Sequence, residues 1–204
     1  MRLSVLLLWC LFILCMTRAA ERPLAAMSLR VSSWAALSLL LLCANAFSVK
    51  VAPEFIFNPA AFLLCIAMGT AAGKACGSAR LMQGAALAVP ASIVMLALSR
   101  MHASGFISLP EPGLFLAMAG VLFLLPLRKA PAAALFGITL APLLLGIWEA
   151  GLDLYAFGYA IMEVGLKKAF DAQVAGVMLA GLLLAPYMLR QPSGASPQKS
   201  HASS

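Results

Sequence analysis

Apolar residues in this chain run in long unbroken blocks, and the polar residues are gathered into short gaps between them. Six blocks, 31–49, 55–73, 81–99, 113–127, 130–148 and 172–189, are candidate spans. Most approach the roughly 20 residues that a helix needs to cross about 30 Å of hydrocarbon. Block 113–127 is short and follows "LPEPG"; it would borrow length from Phe106–Leu109 or sit where the bilayer is pinched. Helices are the expected spanning form, because in lipid every backbone polar group must be satisfied internally. The alternating strands that a barrel needs are not visible.

A further apolar run, "LSVLLLWCLFILCMT" at 3–17, has the form of a secretory leader, with Arg2 before it and small residues after it. It also reads as a short extra N-terminal helix, or as untranslated sequence ahead of a start at Met27. The expected fold is an all-α integral membrane protein, a bundle of about six transmembrane helices over 27–190. Residues 1–26 would be the leader-like or extra helix, and the polar tail 191–204 would be disordered.

One segment breaks the block pattern. Leu152, Tyr155, Tyr159, Met162, Leu166 and Phe170 recur at steps of three and four, the period of a helical stripe. Asp153, Glu163, Lys167 and Asp171 fall to the side of it, with Glu163 four residues before Lys167 as a favourable pair. The spacing predicts an amphipathic helix over 150–171 lying on the outer membrane face. "IWEAGL" at 147–152 and "IMEVGL" at 161–166 form a faint echo with the same spacing.

Composition supports the membrane reading. The chain is 63% hydrophobic and 10% charged, with a mean hydropathy of +0.99. A soluble domain carries about 25% charged residues, so a soluble fold could not hide this much apolar surface.

The net charge of +7 is read as topology and lipid contact rather than nucleic-acid binding. Counted from Met27 with an inside N-terminus, Arg30, Lys74, Arg80, Arg128, Lys129, Arg190 and Lys199 fall inside. Lys50, Arg100, Lys167 and Lys168 fall outside, and seven against four follows the positive-inside rule. Cleaving a leader would invert every loop, so a retained first segment or a start at Met27 fits better. Glu54, Glu111, Glu149, Asp153, Glu163 and Asp171 then share the outer face. Glu111, between two prolines, reads as a cap at a helix start.

Recognisable catalytic chemistry is missing from the sequence. There is no nucleotide loop, no HExxH and no GxSxG, and no block carries a charge at its centre as a proton-coupled transporter usually would. The cysteines show no CxxC spacing and the two histidines are isolated, so neither metal sites nor disulfides are expected.

The informative constellation is Trp148, Glu149, Gly151, Asp153, Tyr155 and Ala156, a W-E-x-G-x-D-x-(aromatic)-A pattern. It follows an apolar block that itself follows the basic "LRKAP". Glu149 would stand where a helix is finishing, where anions are disfavoured, and something must compensate. Together with a later block ending in "LLLAPYMLR", the pattern resembles the membrane-anchor domain of membrane-bound quinoprotein glucose and polyol dehydrogenases, over about residues 112–190.

The resemblance implies a stand-alone anchor subunit in a bacterial inner membrane. Its partner would be a periplasmic catalytic subunit that carries PQQ in a propeller domain, and electrons would pass to ubiquinone. Glu149 and Asp153, one helical turn apart, would then contact quinone or partner, framed by Trp148 and Tyr155. Three roles stay open for the two carboxylates: hydrogen-bonding and protonating a quinone head, pairing with cations of a docked partner, or simple hydration beside an interfacial tryptophan. A small transporter or permease component, and a non-redox membrane scaffold, are the alternative functions.

Overall fold

The computed structural model describes residues 3–17, 19, 30–108 and 111–190. The chain is almost wholly helical there: α1 (Leu3–Met16), α2 (Val31–Ala44), α3 (Pro59–Ala103), α4 (Pro112–Leu124), α5 (Pro131–Phe157) and α6 (Lys167–Arg190). A 3-10 helix, Leu125–Lys129, joins α4 to α5. The start at Met27 and the tail 191–204 lie outside the described residues.

These helices are apolar on all sides. Leu64 and Leu116 are buried, while Ile66, Ile93 and Leu122 are at least half exposed on the same elements. Helices of this kind belong in the core of a large protein or in lipid, and the bundle is too small to be the former. By length and composition three helical runs can cross a membrane: Pro59–Ala103, Pro112–Lys129 and Pro131–Phe157. The six expected from the blocks are not reached by that measure, because α2 is short, two expected spans share α3, and α6 is not among the three.

The 45 residues of α3 do not form one rod. Gly77 interrupts it with φ 78° and ψ 171°, a backbone that glycine adopts without the steric cost other residues meet. Ideal Cβ positions show the consequence. At Gly69 a Cβ would lie 3.1 Å from the ring of Phe136, and at Gly84 it would strike the carbonyl of Ala133. A straight helix would hold residues 69 and 84 about 22 Å apart, yet both touch one turn of α5. The arms 59–76 and 78–103 therefore fold back at Gly77 and flank α5.

Close glycine contacts also set α5 against its other neighbours. A Cβ on Gly137 would meet the carbonyl of Gly84 at 2.8 Å and Leu124 at 2.9 Å. Inside the bundle, the fully buried Gln173 of α6 donates to the carbonyl of Thr139 on α5 at 2.6 Å and to that of Ala61 on α3 at 3.5 Å.

A small sheet, unforeseen in the sequence, closes one end. β1 (Val49–Ala52) and β2 (Phe55–Phe57) form an antiparallel hairpin, and β3 (Met162–Val164) pairs parallel with β2. The chain passes from the sheet into α3 through Asn58. Its side chain accepts from the Ala60 N–H and donates to Asn45, both at 2.9 Å, and Pro59 occupies the first helical turn.

The outer amphipathic helix expected over 150–171 does not form. α5 continues through Phe157, Gly158 ends it in a left-handed cap with φ 69°, and 159–166 returns as an extended segment. Glu163 therefore lies in a strand while Lys167 opens α6, so the two are not a helical pair. The echo between 147–152 and 161–166 is helical in one copy and extended in the other. Glu111 does precede the first turn of α4, but its side chain makes no capping hydrogen bond.

Candidate functional site

The six-residue pattern sits on the last turns of α5, a single helix, so Glu149 is not at a helix end. About two further turns separate it from Gly158, and the cost expected from the helix dipole does not arise there. Gly146, Glu149, Ala150, Asp153 and Phe157 recur at helical spacing and form one wall of a cleft of about 410 Å³. The opposite wall is the returning segment, with Tyr159, Ile161 and Glu163. Gly146 makes this approach feasible: a Cβ there would meet the Glu163 carbonyl at 2.5 Å.

The compensation expected for the carboxylates comes from the chain itself. Arg100, near the end of α3, forms an ion pair with Asp153 at 2.5 Å and reaches the Glu149 carbonyl at 3.3 Å. Ser99 donates to the Glu149 carboxylate at 2.7 Å. The Trp148 indole N–H donates to Ser92 at 2.9 Å, and Ser92 in turn donates to the Val89 carbonyl at 2.7 Å. The second arm of α3 thus holds α5 at three successive levels. Both partners of the ion pair are about two-fifths exposed, so water screens it and its contribution is at most about 1 kcal/mol.

Of the four residues named from the sequence, Glu149 and Asp153 are brought together and the other two are not part of the cleft. Trp148 is turned toward α3, and Tyr155 is 92% exposed and points away. The aromatic residues that do line the cleft are Phe157 and Tyr159.

Sequence reading missed Ser99 and Arg100. Their signal was position: Arg100 closes its apolar block at the level where Asp153 follows another. Tyr159 was assigned to an apolar stripe that the turn at Gly158 dissolves. The third cleft carboxylate, Glu163, carries no ion pair among the described residues.

Chemically the cleft offers carboxylate acceptors, one phenol and an aromatic wall. Among the described residues no three metal-ligating side chains stand close enough to hold an ion. Its lining fits a small ring bearing hydroxyl or other donor groups: the volume falls in the ordinary range of ligand pockets, about 300–1,000 Å³. Compared with family models, curated proteins and solved structures, the chain matches none.

Proposed function

We propose that this chain is a multi-pass protein of the bacterial inner membrane, with six spans counted by dividing α3 at Gly77. In this reading it is a non-catalytic anchor subunit for a periplasmic quinoprotein dehydrogenase and assists electron transfer to ubiquinone. The observation that supports it best is the cleft at the acidic end of α5, where Glu149 and Asp153 of the six-residue pattern share one face.

A quinone head accepts two electrons and two protons on reduction; the electrons would come from the PQQ of the partner. The contribution of this chain is positioning and protons: Glu149 passes the two protons, taken from water, to the ring oxygens. Glu149 and Glu163 accept hydrogen bonds from the hydroxyls of the reduced ring, and the Tyr159 hydroxyl is the donor for a ring carbonyl. Phe157 covers the ring, and Arg100 holds Asp153 so that the wall of the cleft stays in place. A small transporter and a pure scaffold remain the competing functions; each lacks the quinone-linked step.

The test is a mild-detergent pulldown of the tagged full-length protein, followed by mass spectrometry and a ubiquinone-reductase assay on the eluate. Co-purification of a PQQ-dependent dehydrogenase with quinone reduction supports the proposal. Elution alone, or with membrane components lacking PQQ, removes it.

A further inference from the structure

The other end of the bundle, around Gly77, carries a feature that the cleft does not use. Lys74 and Arg80 flank the turn, and Lys129 closes the 3-10 helix; all three side chains are exposed. The fold brings them to one surface. Gly84 abuts the Ala133 carbonyl, and Ser92 and Arg100 meet Trp148 and Asp153 further along. The arm 78–103 therefore runs in the same direction as α5. Arg80 lies one turn before Gly84, and Lys129 four residues before Ala133, so both emerge side by side at this end.

No described carboxylate accompanies them. Glu54, Glu163 and Asp153 lie at the sheet end. Glu111 belongs there too, because a Cβ on the neighbouring Gly113 would lie 2.8 Å from Asp171 at the start of α6. The starts of the 78–103 arm and of α5 both point toward the basic end, and the positive ends of their helix dipoles add partial positive charge.

We infer that the Gly77 end is a docking surface for anionic phospholipid headgroups, with Lys74, Arg80 and Lys129 contacting lipid phosphate. The partner follows from position: the charges lie just past the apolar arms of α3 and the start of α5, at the level where a bilayer places its headgroups. This inference rests on the membrane reading above but not on its quinone part. Basic side chains near an anionic leaflet each contribute enough to change lipid occupancy about fivefold.

The experiment is native mass spectrometry of the full-length protein in mild detergent with equal amounts of phosphatidylglycerol and phosphatidylcholine. Phosphatidylglycerol should be retained preferentially, and K74Q and R80Q should each reduce that preference about fivefold. R80K, which keeps the charge, should retain it, and K50Q at the sheet end should leave it unchanged. Equal retention of the two lipids overturns the inference, as does an equal loss in K50Q. Full displacement by millimolar inorganic phosphate would make the surface a general anion site and would also overturn it. The pulldown above reads the anchor role without reference to lipid preference, so either result can fail alone.

Discussion

At Gly146 the absence of a side chain lets the backbone of Glu163 lie against α5, and that contact fixes the position of the cleft. G146A should therefore destabilise the fold by about 1–3 kcal/mol through overpacking. Thermal denaturation in detergent would measure this. Gly151, itself a member of the six-residue pattern, is the control: a Cβ there meets nothing within 4 Å. G151A should instead raise stability by about 0.5–1 kcal/mol, because alanine is the better helix former. At the Arg100–Asp153 pair, the exposure of both side chains limits the effect. R100Q and D153N should each cost less than about 1 kcal/mol, and a double-mutant cycle should return a coupling of similar size.

The elements divide by whether their signal was local. The apolar blocks announced α2, both arms of α3, and α4 to α6, since a helix satisfies its own backbone and needs only a run of suitable residues. The return segment 158–166 was illegible for the opposite reason. β3 exists through bonds to distant residues, from the Met162 N–H to the Glu54 carbonyl at 2.7 Å and from the Asn58 N–H to the Val164 carbonyl at 3.0 Å. Helical spacing of Tyr155, Tyr159 and Met162 concealed it, although Gly158 and Gly165, both at positive φ, were punctuation that the sequence did display.

Hydrogen exchange tests this element directly: the amides of Met162 and Asn58 should be protected, whereas a surface helix over 150–171 would leave Asn58 unpaired with Val164. Gln173 tests the packing of α6. Its Nε2 bonds two neighbouring helices while its Oε1 has no partner among the described residues, so gain and cost offset each other. Q173L should change stability by under about 1 kcal/mol. Q173E, which puts a charge at a fully buried position, should cost clearly more.

Across the described residues, the carboxylates stand at the sheet end, beside Lys50 and Arg100, and none stands at the Gly77 turn. The acidic residues that the sequence assigned to one face gather around the sheet and cleft, and the Gly77 turn and 3-10 helix carry lysine and arginine. That separation, more than the spans themselves, makes two functional surfaces from one short bundle. It also predicts orientation: a fluorescent protein fused to Ser204 should be active in the cytoplasm, and activity only of a periplasmic reporter would invert the molecule.

Participation of the cleft in quinone-linked electron transfer is read most directly from the ubiquinone-reductase activity of the co-purified complex carrying E149Q and D153N. The partner should still be retained and quinone reduction should fall by about 10²-fold or more, as removal of a proton-transferring group does. Undiminished quinone reduction in the double variant, with the partner bound, would contradict it.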